Sequence, residues 1–293
     1  MPAPIILFVY NRPEHTHRTI TSLQGCYLAR ESHLYVFADG PKSPADAANV
    51  RAVQQLLQSV EGFGSVTVAA REENRGLARS VISGVTEVLR EHGRAVVLED
   101  DLVFARNYLQ FMNDALEAYR DRKAVFSVSG YSYPLPVPPD FTDDVYLLPR
   151  ASSWGWATWR DRWERADWEV ADYPQFLRSR PLQDGFAEGG RDLVYMLRKQ
   201  QLGRIDSWAV RWSYAHHKHG AYCLFPVKSK VHNTGNDKSG THSPRTTRFR
   251  TEVSDAPYRL PPDPRVDPRL VKHLQTFFEP SYLRKLINAL VLR

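Results

Sequence analysis

The first 129 residues alternate short apolar runs with amphipathic stretches, and this alternation constrains the fold more than any other feature. Apolar runs of strand length occupy residues 5–10, 34–38, 66–70 and 95–98. Between and after them, apolar residues recur every three to four positions, as in helices that pack through one face. Strands that alternate with helices predict an α/β fold, with a mainly parallel central sheet and helices on both faces. We interpret all four apolar runs as buried strands.

Polar side chains follow each of the predicted strands. In chain order these groups are Tyr10-Asn11-Arg12, Asp39, Asn74-Arg75-Gly76 and Glu99-Asp100-Asp101. Because the carboxyl ends of parallel strands meet at one edge of a sheet, we expect the groups to lie close together there. Ligands of such sheets bind at this same edge.

The three consecutive acids Glu99, Asp100 and Asp101 are the most informative of these groups. Adjacent carboxylates repel one another, so holding them together is unfavourable unless a cation or hydrogen-bond donors compensate. Mg²⁺ and Mn²⁺ prefer oxygen ligands, and Mg²⁺ sites commonly use one or two carboxylates beside phosphates and water. A nucleotide diphosphate would supply those phosphates. Two alternatives stay open at this point: an acidic strand end exposed to water, or an N-cap run for a following helix.

Composition narrows the choice of partners and compartment. The formal net charge of +6 favours an anionic partner, such as a nucleotide diphosphate, a lipid-linked phosphate or an anionic membrane face. The sequence shows no nucleic-acid-binding motif, so we expect no nucleic-acid partner. Cys26 and Cys223 are the only cysteines, and the N-terminus lacks the pattern of a secretory signal. We therefore expect a cytoplasmic protein.

The alternation of apolar runs and amphipathic stretches ends near residue 130. We expect residues 1–130 and residues 131–245 to form two halves of the same domain. Residues 246–293 are predicted to form an irregular tail that ends in an amphipathic helix. That helix, residues 282–293, either lies on the inner membrane as a peripheral contact or packs on the domain.

The run Val-Val-Leu-Glu-Asp-Asp-Leu, residues 96–102, resembles the metal-binding motif of GT-A glycosyltransferases. The likeness is to bacterial family 2-like enzymes and to relatives of the Golgi N-acetylglucosaminyltransferase that initiates complex N-glycans. It extends in the same chain order to residues 9–13, 38–40, 74–77, 154–156, 205–208, 233–235 and 240–242. The resemblance implies a Rossmann-like nucleotide-diphospho-sugar transferase fold. It also implies metal-dependent, inverting transfer of a hexose or N-acetylhexosamine, from a UDP-sugar to a hydroxyl of a glycan or glycolipid. A growing bacterial surface polysaccharide would be such an acceptor.

The resemblance also implies that residues 1–130 form the donor-binding half and residues 131–245 the acceptor-binding half, and it assigns residues to the donor. Mn²⁺ or Mg²⁺ would be bound by Asp101, with His242 as a second ligand. Asp100 would contact the ribose and Glu99 the hydroxyls of the donor sugar. The nucleotide pocket would comprise Tyr10, Asn11, Arg12, Asp39, Asn74, Arg75 and Gly76, with Asp39 hydrogen-bonded to the base and Arg75 facing the diphosphate. From the residues alone, a solvent-facing position at a helix start is an equal alternative for Arg75.

On the acceptor side, Asp206 is our candidate general base, which would accept the proton of the attacking hydroxyl. Without the resemblance, a capping role for Asp206 is the stronger interpretation. The segment Trp154-Gly155-Trp156, with Trp208, is predicted to line a sugar, because aromatic faces suit the apolar face of a pyranose. Core packing is the alternative for these rings.

The histidines at positions 216, 217 and 219 invite a zinc site. We place His216 and His217 in a strand, where neighbours point to opposite faces, and predict a polar segment instead.

Three other functions compete with the transferase. A nucleotidyltransferase that makes nucleotide-sugars would have a glycine-rich loop after the first strand, where this chain has Tyr10-Asn11-Arg12-Pro13. A Rossmann oxidoreductase or methyltransferase would have Gly-x-Gly-x-x-Gly at that position. A non-catalytic nucleotide-sugar-binding module would bind the donor without turnover and would not need Asp206.

Overall fold

A computed structural model describes residues 1–237 and 246–282 of the chain. The strands in these residues are β1 (Ile5–Val9), β2 (His33–Ala38), β3 (Ser65–Ala70), β4 (Arg94–Glu99), β5 (Leu102–Phe104), β6 (Val125–Ser129), β7 (Val145–Leu148), β8 (Trp156–Trp159), β9 (Tyr222–Pro226) and β10 (Val231–Asn233). The α-helices are α1 (Pro13–Gln24), α2 (Ala47–Leu57), α3 (Leu77–His92), α4 (Tyr108–Ala118), α5 (Arg160–Trp163), α6 (Tyr173–Arg178), α7 (Arg180–Phe186), α8 (Arg191–Gln201), α9 (Trp208–Lys218) and α10 (Pro268–Phe277).

An 8-stranded sheet in the order β3-β2-β1-β4-β8-β6-β9-β7 organises the fold. Strand β1 pairs in parallel with β2 and β4, and β2 pairs in parallel with β3. Strand β8 is antiparallel to both of its neighbours, and β7 is antiparallel to β9. Strands β5 and β10 form a separate antiparallel ribbon. The predicted α/β class with a mainly parallel central sheet is confirmed.

The order of the strands reverses at β1. The chain moves outward from β1 through β2 to β3, and then returns to place β4 on the other side of β1. In open α/β sheets such a reversal leaves a crevice at the carboxyl ends of the two central strands, which is where ligands bind. The groups that follow β1 and β4 therefore lie at the switch point of the sheet.

Helices cover both faces of β1 and β4, whose central residues are buried. On one face Leu7 and Leu98 join a core that includes Ile20 of α1 and residues of α4. On the other face Ile6 and Val97 join a core built with α3 and α9. Burying an aliphatic side chain of this size contributes about 1.5–3 kcal/mol to folding, so the continuous apolar runs strongly favour the centre of the sheet.

Strand β3 differs from the other parallel strands. We predicted it as a buried strand, but most of its residues are exposed, and Val68 retains 40% of its accessible surface. The physical reason is its place at the edge of the sheet, where it has only β2 as a strand neighbour. Its apolar residues indicated a strand but not the position of that strand.

His216 and His217 lie on α9, so their predicted placement in a strand is wrong, and His219 follows the end of that helix. His216 is fully buried, where Ser127 Oγ lies 2.8 Å from its Nε2 atom and the carbonyl oxygen of Trp212 lies 2.8 Å from Nδ1. No group of three or more His, Cys, Asp or Glu side chains suited to a metal occurs in the part of the chain that the structure describes.

We expect His216 to make stability fall on acidification. Burial lowers the pKa of its imidazole to about 4, below the value of about 6.5 expected in the unfolded chain. The unfolded state therefore binds the proton first, and stability present above pH 6.5 is lost as the pH falls towards 4, by up to about 3 kcal/mol. Urea unfolding at several pH values would measure this loss.

The matched comparison is His216→Gln against His17→Gln, since His17 is exposed on α1. Only the first variant should flatten the pH dependence between 6.5 and 4. Identical slopes in both variants would contradict the assignment.

No helix among residues 1–237 and 246–282 is long and apolar enough to cross a membrane. The predicted C-terminal amphipathic helix lies outside the described residues from position 283 onward. Strands from both sides of position 130 share the central sheet, and the division into a donor half and an acceptor half stays a prediction.

Candidate functional site

A buried acidic pair stands at the switch point. Asp100 and Asp101 occupy the tight turn between β4 and β5, and their relative exposures are only 4% and 6%. The Nη2 atom of Arg12, which follows β1, contacts Asp100 and lies 3.0 Å from Oδ2 of Asp101. The alternative of a solvent-exposed acidic end is therefore wrong. So is the alternative of an N-cap run, because β5 follows the turn instead of a helix.

The guanidinium of Arg12 compensates the charge of the pair. Burial alone would lower the pKa of Arg12, but the charges of Asp100 and Asp101 outweigh it and raise that pKa. Burial raises the pKa of Asp100 to about 6, against the opposing effect of Arg12. The site therefore contains two carboxylates that are poorly solvated and share one cation.

Asp101 is fixed from a second direction by residues near the end of β10. Asn233 Nδ2 donates to Asp101 Oδ1 at 3.0 Å, and the amide of Thr234 donates to the carbonyl oxygen of Asp101 at 2.7 Å. A side chain at Gly235 would collide with the carboxylate of Asp101, so only glycine allows this close approach. The sequence likeness included these residues, but no role was predicted for Asn233.

Helix α1 holds the backbone of the acidic turn. The buried hydroxyl of Thr19 donates to the carbonyl oxygen of Asp100 at 2.8 Å and accepts from the amide of Leu102 at 3.0 Å. One turn earlier, His15 Nε2 lies 3.2 Å from Asp237 Oδ2, which joins α1 to the loop after β10. These contacts place α1, the acidic turn and that loop in one unit.

Glu99 lies next to the pair but belongs to a different environment. The indole of Trp208, the first residue of α9, favours the ionised form of the Glu99 carboxylate and so opposes part of the rise in its pKa. Burial and the charges of Asp101 and Asp100 raise the pKa of Glu99 to about 8. Glu99 therefore connects the acidic turn to the helix that begins after Asp206.

A second hydrogen-bonded group lies at the ends of β2 and β3. Asp39 Oδ1 accepts from the amide of Arg75 at 2.9 Å, and Oδ2 accepts from the amide of Gly76 at 3.0 Å. Asn74 donates to the carbonyl oxygen of Gly40 at 2.9 Å, and the side chain of Arg75 is exposed. Asp39 thus organises the loop that precedes α3, which is a structural role in addition to the predicted contact with a base.

Tyr10 and Asn11 bind the loop after β2. The phenol oxygen of Tyr10 accepts from the amide of Lys42 at 2.9 Å, and Asn11 Nδ2 donates to Asp46 Oδ1 at 2.8 Å. The exits of β1 and β2 are therefore tied together. The structure brings all four predicted polar groups to the same edge of the sheet, as two hydrogen-bonded clusters.

The predicted aromatic wall is divided between two environments. Trp154 is half-buried, and its ring lies 4.6 Å from that of Tyr131 and 5.5 Å from that of Phe249. Trp156 is fully buried and stacks on Trp208, with 5.1 Å between their centroids. The prediction that Trp156 lines a sugar is wrong, because its ring has no exposed surface.

Trp208 is also buried, at 3% exposure, and its ring packs in the core beside Trp156. Gly155 has φ +62°, a conformation outside the strand region that glycine adopts easily. The regular alternation of side chains is therefore interrupted, and Trp154 and Trp156 pack against different parts of the core. Of the three tryptophans, only Trp154 retains exposed surface suited to a ligand.

Asp206 lies two residues before Trp208 and outside the acidic pair. Its side chain is 64% exposed and accepts from Arg211 Nη2 at 2.9 Å. The N-cap of α9 is Ser207, whose hydroxyl accepts from the amide of Val210, so Asp206 is not the capping residue.

The oxygens of the acidic pair suit a hard divalent cation. One oxygen of Asp100 and one of Asp101 converge on a single cationic nitrogen of Arg12. Two carboxylates, completed by phosphate and water, match the ligand preference of Mg²⁺. Arg12 would have to release both oxygens, and its Nη1 atom is buried without a hydrogen-bond partner among the described residues. The predicted second ligand, His242, lies outside the described residues.

No protein-family model and no curated protein matches this chain. Among solved structures, it is similar to the mannosyltransferase PcManGT from Pyrobaculum calidifontis in complex with GDP-Man and Mn²⁺. That similarity has 18% identity and a TM-score of 0.37, over 56% of this chain and 48% of that one. It is also similar to S. aureus TarS, at 10% identity and a TM-score of 0.42, over 80% of this chain and 37% of that one. This chain spans less than two thirds of either protein, and at these TM-scores the likeness does not decide its function.

Proposed function

We propose that this chain is a metal-dependent glycosyltransferase of GT-A architecture that uses a nucleotide-sugar donor. One observation carries the proposal: Arg12, Asp100 and Asp101 form a buried charged cluster at the point where the strand order of the sheet reverses. Burying two carboxylates destabilises the folded state. Such destabilising groups are typical of functional sites, and the crevice at a strand-order reversal is where ligands bind.

The chain's own residues suit a diphosphate with a bound cation. Asp101 and Asp100 would hold Mn²⁺ or Mg²⁺, and the metal would stabilise the negative charge that develops on the departing diphosphate. Arg12 and the exposed Arg75 would pair with phosphate oxygens. Tyr10, Asn11 and the Asp39 loop would enclose the nucleoside, with UDP as the proposed nucleotide and inversion as the proposed stereochemical course.

A thermal-shift screen of nucleoside diphosphates, with and without Mn²⁺, tests the proposal directly. We expect one nucleotide to raise the melting temperature only when the metal is present, because each ligand completes the site of the other. The same screen with Glu91→Gln, an exposed acid outside the site, provides a control for surface charge. Stabilisation by nucleotides without any metal dependence would contradict the proposed chemistry.

Asp206 is proposed as the general base on a glycan or glycolipid hydroxyl. We expect Asp206→Asn to lower the transfer rate at least about 100-fold, the lower end of what a positioned base contributes. Mn²⁺-dependent nucleotide binding should stay near the wild-type value, because Asp206 does not contact the acidic pair.

Asp184→Asn is a suitable comparison for this prediction, since Asp184 also accepts from an arginine, Arg180, but lies on α7. Normal turnover of Asp206→Asn would remove it from the mechanism. It would also favour the rival in which the chain binds a nucleotide-sugar without catalysis.

A further inference from the structure

A cavity of about 190 Å³ is lined by residues of two elements that lead to the acidic site, helix α9 and the segment before β8. Trp208 influences the carboxylate of Glu99, and the next residues of α9, Ala209 and Val210, line the cavity. Similarly, Trp154 lines the cavity, while its neighbour Gly155 packs against β10, the strand that leads to Asn233. The cavity therefore adjoins the site through both elements.

Half-buried aromatic rings form much of the cavity wall. These are Tyr133, Trp154, Phe249 and Phe278. Trp154 and Phe249 are perpendicular, with 5.5 Å between their centroids, and Tyr133 and Phe278 are perpendicular at 5.1 Å. Rings that keep exposed surface in a concave site offer flat faces to a ligand. A pyranose has an apolar face that suits such a surface, and a cavity of this size holds about one ring.

Polar groups in the wall suit the hydroxyls of a sugar. Ser152, Ser153 and Ser213 line the cavity, and a hydroxyl can both donate and accept. Arg150 also lines it, but its guanidinium is committed to Asp192, with two contacts of 2.9 Å, and lies 3.6 Å from the ring of Phe278. Arg150 is thus part of a rigid wall.

An exposed cation stands beside this wall. The guanidinium of Arg248 lies 5.5 Å from the ring of Phe249, 4.4 Å from that of Phe277 and 5.8 Å from that of Phe278. Within residues 1–237 and 246–282, no carboxylate forms an ion pair with Arg248. Its stacked position preorganises a positive charge next to the cavity, which favours an anionic group on the ligand.

We propose that this cavity is the acceptor subsite and binds a pyranose that carries an anionic group, with the ring against Trp154 and the anion at Arg248. The inference rests on the proposed function, because it takes the neighbouring acidic site to be the donor site. A carboxylate and a phosphate share the chemistry that Arg248 would recognise.

Saturation-transfer NMR on the full chain, with simple pyranosides as probes, tests the subsite. Methyl β-D-glucopyranoside, methyl β-D-glucuronide and glucose 6-phosphate supply a neutral ring, a carboxylate and a phosphate, and the galacto and manno counterparts cover the ring stereochemistry. We expect at least one charged probe to bind about fivefold more tightly than its neutral partner, and the better of the two charged probes identifies the anion.

Variants locate the binding. Trp154→Ala should weaken binding of every probe about tenfold, and Arg248→Gln should remove the preference for charge while keeping neutral binding. Ala209→Phe should fill the cavity and block all probes, whereas Ala118→Phe, at an exposed position of α4, should not. Equal binding of charged and neutral probes, or unchanged binding by Trp154→Ala and Ala209→Phe, would overturn the proposal.

Nucleotide binding in the same variants separates this inference from the proposed function. Mn²⁺-dependent stabilisation by a nucleoside diphosphate depends on the acidic site and on the nucleoside-binding residues beside it, none of which is changed here, and should survive all of these substitutions. If it is absent from the wild type, the proposed function fails. If the wild type shows this stabilisation but pyranosides do not bind in the cavity, only the proposal of an acceptor subsite fails.

Discussion

Replacing Arg12 with methionine is expected to lower the free energy of unfolding at pH 8 by about 3–5 kcal/mol, the usual cost of removing one partner from a buried ion pair. Arg12 is the cation that contacts both Asp100 and Asp101, and the two carboxylates are nearly inaccessible to water. Methionine keeps much of the buried volume, so the loss of unfolding free energy measures the effect of the missing charge and not that of an empty cavity. Urea unfolding of both proteins measures it.

The same variant should regain stability as the pH falls. The pKa of Asp100 is about 6 even with Arg12 present, above the value of about 3.9 expected when the chain is unfolded. Without Arg12 the folded-state pKa rises further, so the folded variant binds protons before the unfolded chain does. Its deficit relative to the wild type should therefore be largest above that raised pKa and should shrink as the pH falls through it towards 6.

Mn²⁺ should also restore stability to Arg12→Met. If the metal and Arg12 compete for the same two oxygens, the variant loses the competitor and binds Mn²⁺ more tightly than the wild type. Its melting temperature should therefore rise more steeply with Mn²⁺ concentration. Arg12→Lys, which retains a positive charge, should behave between the two.

Arg94→Met is the matched control, because Arg94 pairs with Glu117 at 2.9 Å on a half-exposed surface. Such pairs contribute about 0–1 kcal/mol, so this variant should lose little stability at any pH. If Arg12→Met were as stable as Arg94→Met at pH 8, then Arg12 would not be the counter-charge of the acidic pair.

The sheet and its polar edge were predictable because both depend on local patterns. Apolar runs such as the one from Ile5 mark strands, and the residues that follow each strand must lie where that strand ends. The exposure of Val68 was not predictable in this way, because a strand's place in the sheet depends on which strands it pairs with. Apolar content alone does not distinguish a central strand from an edge strand.

The contacts that complete the candidate site join residues far apart in the sequence. Asn233 reaches Asp101 across 132 positions, and Arg12 reaches Asp100 across 88. The first contact depends on the short ribbon of β5 and β10, whose strands carry no strong periodic signal. Such pairing follows from tertiary packing. The expected proximity of Arg12 to the acids therefore did not reveal their ion pairs, and no role was predicted for Asn233.

The tryptophans show the same limit at short range. Trp154 and Trp156 are two residues apart, and regular strand geometry would place both rings on one face. The positive φ of Gly155 breaks that geometry and sends one ring to the cavity and the other to the core. The conformation of a single glycine therefore decides which tryptophan is available to a ligand.

Asp101→Asn is expected to remove the metal dependence of nucleotide binding and to lower Mn²⁺-dependent hydrolysis or transfer of the donor about 1,000-fold. A metal at a departing diphosphate contributes several kcal/mol to the transition state, which corresponds to a factor of this order. Asn233 can still hydrogen-bond the new amide, and Arg12 keeps Asp100 as a partner. The fold should therefore survive, and unfolding in urea would confirm that it does.

Isothermal titration with Mn²⁺ separates this loss from a general defect. Asp101→Asn should show at least about 100-fold weaker metal binding, whereas Asp121→Asn, at a site with 86% side-chain exposure, should match the wild type. Asp100→Asn should fall between them if both oxygens that converge on Arg12 also bind the metal. Unchanged Mn²⁺ affinity in Asp101→Asn would mean that Arg12 is the permanent partner of this carboxylate, and the switch-point cluster would then be a structural ion pair rather than a metal site.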